Sequence, residues 1–490
     1  MRRFSLTLPL VTTLAFVACS HTERTSEVPN PSLRPGVAAA GRLPESAELA
    51  GTSIATEDAG PWRLRRAGGG DAAATEDAGG ASDALGDSPA LVGDAGAAGG
   101  ARAAEPAAAP ATARFARLDE AEKSIAPTDG AGPGAHALRA GSTDDNADLA
   151  GYLEFLRTWT ERRRMSGLFQ PLDVSGRRTV RVVDAAGRPV PGAVVSVVDE
   201  QADRVLWSGT TYGDGRIPWY PRLDAQPVGA AGAPLVEAYV PLPGAGALTA
   251  RAVWVGEGDE LTLRLTETVA STEPVALDVC FVIDTTGSMG DEIESLKASL
   301  LQVTGRLRGL AREFDLRYAA VLYRDLGDEY VTATHPFTAD IAAFDTALRG
   351  VTANGGGDTP ESLNQALAQA VDGVAWRSGA AKVVFVLADA PPHMDYAGDV
   401  PYGDSVRAAV AKGIRIHTVA ASGLDALGTL VFRQVAQFTR GKFVFLEYGS
   451  PEAAAASHGV TGAVRRDNLE DILFEQIRDE VAGWGRPEGR

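Results

Sequence analysis

The chain has 490 residues, enough for two or three domains, and carries a net charge of −18 with a sequence pI near 4.9. With no basic cluster, that balance argues against nucleic acid as a partner. It also repels anionic lipid, so membrane attachment would need a device other than charge.

The first residues supply such a device. Arg2 and Arg3 precede a short apolar stretch, Phe4 to Val17, interrupted by Pro9. The stretch is too short for a comfortable membrane span and reads as a secretory signal. It ends in Phe16-Val17-Ala18-Cys19, which resembles a bacterial lipobox with Phe16 where Leu is usual. The resemblance implies residues 1–19 as a lipoprotein signal, Cys19 as the acylated residue of the mature chain, and a lipid anchor in the membrane. Export across the inner membrane follows. Ser20 in place of Asp points to the outer membrane, facing periplasm or cell surface. Ordinary cleavage near Ala18 stays open. The second cysteine, Cys280, lies in an apolar run and is expected to be a buried small hydrophobe.

Residues 20–147 are rich in Ala, Gly, Pro, Asp and Glu. Between residues 20 and 148 the sequence holds 20 acidic and 11 basic residues, a net −9 and half of the total charge. Ala-Thr-Glu-Asp-Ala-Gly occurs at 55–60 and again at 74–79. Such a segment buries too little apolar surface to offset its ordering entropy, so it is expected to be a disordered linker. As a flexible coil it would span roughly 60 Å, which would hold a folded head away from an anchor.

From 148 to 169 the composition changes. Leu149, Tyr152, Leu153, Leu156 and Trp159 recur at helical spacing, which predicts a short amphipathic helix docked on the folded part. Residues 173–268 then alternate apolar and polar residues in short runs between Gly/Asp turns, which predicts a small β-sandwich. The string from Val182 to Asp199 with Thr210-Thr211-Tyr212-Gly213-Asp214-Gly215 resembles the carboxypeptidase regulatory-like modules of secreted bacterial proteins. That resemblance implies a structural or spacer role.

Residues 275–450 alternate near-continuous apolar strands with helical stretches. The expected fold is α/β, a doubly wound and mostly parallel sheet, which binds ligands at the carboxyl ends of its strands. Three loops fall there: Asp284-Thr285-Thr286-Gly287-Ser288, Asp358-Thr359-Pro360-Glu361 and Asp389-Ala390-Pro391-Pro392-His393. Together they resemble the metal-ion-dependent adhesion site of von Willebrand factor A domains. The resemblance implies Asp284, Thr286, Ser288, Thr359 and Asp389 as metal ligands. Two carboxylates and three hydroxyls form a hard oxygen set that suits Mg2+, with Mn2+ or Ca2+ as alternatives.

Around that set, Asp291, Glu292, Asp325, Asp358 and Glu361 could support the ligands or hold an adjacent cation. For Asp291 and Glu292 the simpler expectation is stabilisation of a helix N-terminus, and for His393 a structural role. Residues 450–463 read as loose, and 465–484 as a closing helix or a lever. The implied function is metal-dependent binding of a protein partner that offers an acidic side chain, as in adhesion or the scaffolding of an envelope complex. The sequence carries no phosphate loop, His-Glu-x-x-His or nucleophile elbow, so an enzyme is not expected. Two alternatives stay open: a structural part of a cell-envelope assembly whose metal only stabilises the fold, and a non-catalytic subunit of an enzyme.

Overall fold

The computed structural model describes residues 138–163, 171–201, 203–223, 233–242, 246–256, 258–269, 274–309 and 314–484, with the backbone of Arg65–Arg66. The signal segment, Cys19, most of the 20–147 stretch and residues 164–170 lie outside the described residues.

The elements run as follows. β1 (Arg65–Arg66) and β2 (Arg139–Thr143) precede helix α1 (Leu149–Arg163). Seven strands come next: β3 (Arg178–Val183), β4 (Val194–Asp199), β5 (Arg204–Thr210), β6 (Arg216–Trp219), β7 (Leu235–Pro241), β8 (Ala247–Val253) and β9 (Glu260–Arg264). The α/β part opens with β10 (Val275–Asp284), α2 (Ile293–Gly309), β11 (Phe314–Tyr323) and β12 (Thr332–Thr338). It continues with α3 (Ile341–Arg349), α4 (Leu363–Ala368), β13 (Ala381–Ala388), α5 (Tyr402–Lys412), β14 (Ile414–Ala420), α6 (Ala426–Phe438) and β15 (Phe443–Leu446). α7 (Pro451–Ser457), β16 (Arg465–Asn468) and α8 (Leu469–Val481) close the chain.

The large sheet has the order β1-β12-β11-β10-β13-β14-β15-β2-β16. Its centre, β11 to β15, is parallel, and antiparallel strands flank it on both sides. β10 and β13 are buried along almost their whole length. That explains their near-continuous apolar sequence, interrupted only by Asp278 inside β10 and Lys382 in β13: helices cover both faces. One face packs on α2, α3 and α8, with Phe281, Phe385 and Tyr318 at its centre. The other packs on α4, α5 and α6.

β2 corrects the boundary of the expected linker. Residues 139–143 are not part of a disordered segment; they pair with β15 on one side and β16 on the other. Arg65–Arg66 likewise pair with β12. The short run Arg-Ala-Gly-Ser-Thr has almost no apolar content of its own, and it is held as a strand because two partners satisfy both backbone edges. Residues 450–463 are not loose either. Ser450 caps α7 by accepting from the Ala453 amide, and Ala454 and Ala455 are buried beneath it.

The seven strands after α1 form two sheets, β6-β3-β9 and β5-β4-β7-β8. Their apolar residues belong to the same core cluster as α6 and one face of the large sheet. Tyr220 stacks on Phe438 at 4.3 Å, the Thr210 hydroxyl donates to the Ala411 carbonyl at 2.8 Å, and the Gly213 amide donates to Glu480 at 2.8 Å. This module is therefore fused to the α/β part. Tyr152, Leu156 and Trp159 of α1 are buried in the same cluster. Cys280 is fully buried in β10, and burial alone pushes its thiol well above the usual range.

His458, after α7, predicts an acid response. Its ring is 8% exposed, and its Nδ1 lies 2.9 Å from the Thr429 hydroxyl. Burial, and then the Arg433 guanidinium, depress its pKa from 6.5 to about 4. The folded state thus binds this proton more weakly than the unfolded state. Its stability contribution is complete above pH 6.5 and is lost as pH falls through about 4, amounting to about 3 kcal/mol. In His458→Gln, denaturant unfolding between pH 7 and pH 4 should lose a correspondingly smaller amount of stability than the parent. An unchanged slope would show that the acid response arises elsewhere.

Candidate metal centre

Three loops meet at the carboxyl edge of the parallel strands. Loop 1 leaves β10 at Asp284 and runs through a 3-10 turn, Gly287–Asp291, into α2. Loop 2 joins α3 to α4, and loop 3 follows β13. Backbone hydrogen bonds staple them together. The Asn354 amide donates to the Thr285 carbonyl and the Gly287 amide to the Gly355 carbonyl, both at 2.9 Å. Glu361 donates to the Pro391 carbonyl and accepts from the His393 amide, both at 3.0 Å.

Within loops 1 and 3 the acidic and hydroxyl side chains form one connected chain. Asp284 Oδ1 accepts from the Thr286 amide at 2.9 Å and the Thr286 hydroxyl at 2.7 Å. Thr286 Oγ1 lies 3.1 Å from Ser288 Oγ, which donates to Asp389 Oδ1 at 3.0 Å. Burial is greatest at the Asp284 end of this chain and least at Ser288. Asp284 and Thr286 are fully buried, Asp389 is half-buried and Ser288 is exposed. The structure thus brings together four of the five ligands read from the sequence. Thr359 stands exposed on loop 2 after Asp358, and no hydrogen bond joins it to the other four among the described residues.

The electrostatics are unbalanced. Asp284 Oδ2 and Glu361 Oε2 are buried and have no hydrogen-bond partner among the described residues. Burial, then the facing Asp389 carboxylate, pushes Asp284 up to about 7. Burial, then Asp284, Asp325, Asp328 and Asp389, pushes Glu361 up to about 9. Tyr323 faces Asp284 from behind: burial, then Asp284, Asp389 and Glu361, hold its phenol well above the usual range, and its hydroxyl only partly offsets the rise at Asp284. Orphaned buried carboxylate oxygens are costly, and an all-oxygen donor set of this kind fits a hard divalent cation. Asp284, Thr286, Ser288 and Asp389 are the residues that would hold it, with Thr359 and Glu361 on the adjoining loop.

The remaining acidic candidates divide. Asp291 is exposed. Glu292 is buried and does not simply complement the α2 dipole; both its carboxylate oxygens accept from the Ser422 amide, at 3.0 and 3.3 Å, and Oε1 also from the Ser422 hydroxyl. A buried carboxylate needs donors, and the loop after β14 supplies them. Asp325 accepts from the Ser362 hydroxyl at 2.9 Å and the Tyr396 hydroxyl at 2.7 Å. Asp358 is exposed beside it.

Several braces were not singled out from the sequence. Arg324 is buried, lies over the Tyr330 ring at 4.4 Å, and donates to the Thr285 and Thr352 carbonyls at 3.2 and 3.4 Å, tying loop 1 to loop 2. Asp328 accepts from the Gly356 amide at 2.9 Å. The triple glycine at 355–357 was a visible signal. Gly356 has φ +71°, and a Cβ there would sit 2.8 Å from Glu361 Oε1 and 3.0 Å from Thr286 Cβ.

The family comparison agrees with this architecture. Residues 278–408 match the model of the von Willebrand factor A domain, so the chain contains such a domain. An ariadne-like RING finger protein of Acanthamoeba polyphaga mimivirus is 34% identical over 119 residues, 24% of this chain and 11% of the relative. The alpha-protein kinase vwkA of Dictyostelium discoideum is 27% identical over 118 residues, 24% of this chain and 19% of the relative. The chain therefore spans between a tenth and a fifth of these curated relatives. Among solved structures, BatB from Bacteroides thetaiotaomicron is similar at 13% identity and a TM-score of 0.31, over 42% of this chain and 99% of that one.

Proposed function

We propose that this chain is a tethered binding protein whose A domain grips an acidic side chain of a protein partner through a divalent cation. Asp284, Thr286, Ser288, Thr359 and Asp389 would hold the ion, and Mg2+ is the expected species. The observation that carries this reading is the hydrogen-bonded chain from buried Asp284 to exposed Ser288 and Asp389, with Asp284 Oδ2 orphaned at its buried end. When bound, the ion supplies an electrophilic position that a partner's carboxylate can complete. Three of the five ligands are neutral hydroxyls, and the exposed Ser288 would keep that end of the site open to a partner. The stapled loops fix the hydroxyls, so little ordering is left for binding to cost.

The proposed role is binding, the use that an open, partner-completed coordination position supports. Cys19 would provide the anchor, the Ala/Gly/Asp-rich segment the reach, and the β-sandwich module a rigid spacer under the A domain. With that anchor the protein would sit in the cell envelope.

The test is selection from a random peptide display library on immobilised full chain, in Mg2+ and in chelator. The expected result is a set of chelator-sensitive peptides enriched in Asp or Glu, lost in Asp284→Ala although that variant stays folded, with a metal-free melting temperature no lower than the parent's. Enrichment indifferent to chelator would overturn the reading. A second reading, a metal that only stabilises the fold, is favoured by the burial of Asp284 beside like charges. It predicts that Mg2+ raises the melting temperature of the parent while the parent yields no chelator-sensitive peptides.

A further inference from the structure

A second cluster of ligating atoms lies beside the first, built from different residues. One carboxylate oxygen each of Asp325 and Asp358 and one ring nitrogen of His393 all lie within 4.8 Å of one another. Asp325 follows β11, Asp358 stands on loop 2 and His393 ends loop 3. An acidic cluster alone would mean little, but the histidine adds a separate observation. His393 is only 4% exposed, yet its Nε2 has no hydrogen-bond partner. That nitrogen faces Asp325 Oδ2 at 3.6 Å, too far for a hydrogen bond.

The groups around the cluster fix its orientation. His393 Nδ1 lies 2.9 Å from Asp395 Oδ1. A carboxylate on one ring nitrogen holds the proton there and leaves the other nitrogen's lone pair free, which is the arrangement of metal-bound histidines. The ring stacks on Tyr396 at 3.7 Å, and the Tyr396 hydroxyl in turn donates to Asp325 Oδ2 at 2.7 Å. Ser362 holds the other Asp325 oxygen at 2.9 Å. Two of the three ligating side chains are thus buried and oriented, while Asp358 is exposed and leaves a path to solvent.

We propose that Asp325, Asp358 and His393 form a second metal site, selective for a divalent transition ion such as Zn2+ over Mg2+, with at least one coordination position left open. The donor set decides the selectivity. Imidazole nitrogen favours zinc and its neighbours in the transition series, whereas the all-oxygen set at Asp284 favours hard ions. The spacing agrees: ligands about 2.1 Å from a tetrahedral ion lie about 3.4 Å apart, against 3.6 Å between His393 Nε2 and Asp325 Oδ2. Such an ion would link three segments, the β11 loop, loop 2 and loop 3, next to the adhesion-type site.

The test uses the metal-free full chain titrated with Co2+ and Zn2+ in saturating Mg2+, with Co2+ absorption as a second readout. The expected result is one transition ion per chain in this cluster. Affinity should fall about 10- to 100-fold in Asp395→Ala and further in His393→Gln. Asp358→Asn, at an exposed position, tests the site without risk to the fold. Asp389→Ala should lose Mg2+ binding and keep Co2+, so failure here is distinguishable from failure of the Asp284 centre. No Co2+ or Zn2+ binding by the parent, or equal affinity in His393→Gln and Asp358→Asn, would show the cluster to be a plain Asp–His contact.

Discussion

Asp284→Ala is expected to abolish Mg2+ and Mn2+ binding without unfolding the domain. Changes to residues that only orient a ligand cost about 10- to 100-fold in metal affinity, and removing the buried ligand itself should exceed that. The effect on the metal-free protein should have the opposite sign. Asp284 is a fully buried carboxylate with one unpartnered oxygen, facing Asp389. Such a group costs about 1–3 kcal/mol where it stands. Deleting it should raise the metal-free melting temperature by a few degrees, at about 2–4 °C per kcal/mol for a domain of this size. Mg2+ at a hundred times its Kd stabilises the parent by about 2.7 kcal/mol and should leave the variant unmoved. Thermal melts of both proteins, each in chelator and in Mg2+, check both signs together. A Mg2+-induced rise of equal size in the variant would move the ion away from Asp284.

The grouping of Asp284, Thr286, Ser288 and Asp389 was legible because its signals are local. Asp284, Thr286 and Ser288 fall at alternate positions within five residues at the end of an apolar strand, and the strand-end rule for parallel sheets places them at the binding edge. Asp389 follows a second buried strand in the same way. The braces were less legible because their partners are distant in sequence. Asp328 meets Gly356 across 28 residues and Tyr396 meets Asp325 across 71. Nothing in the local pattern of either residue announces the pairing. The same holds for β2: its five residues, an arginine and four small ones, carry no periodicity, and its partners β15 and β16 lie some 300 residues later. Glu292 shows a third kind of miss. A glutamate entering a helix is ordinarily read through the helix dipole, but burial changed what it needs, and the Ser422 amide and hydroxyl meet that need.

Breaking the Asp145–Arg433 pair should have the largest effect on stability. Asp145 lies two residues past β2, and Arg433 lies in the middle of α6. Two hydrogen bonds of 2.9 and 2.7 Å join them, and both side chains are more than nine-tenths buried. Arg433 also donates to the His458 and Gly459 carbonyls and lies over the Phe155 ring at 3.8 Å, so one guanidinium joins α1, α6 and the segment after α7. Burial outweighs the pull of Arg433 and pushes the Asp145 carboxyl up. The pair therefore repays its desolvation poorly, and its value lies in not being left half-made. Removing one partner strands the other charge in the core. Asp145→Ala should destabilise the chain by about 3–5 kcal/mol, whereas Asp145→Ala with Arg433→Met should recover part of the loss by burying no charge. Urea unfolding of the parent, the single variant and the double variant measures the difference. If the single variant proved as stable as the parent, the 139–163 segment would be merely resting against α6; a large loss recovered in the double variant would make that segment an integral wall of the A domain's core.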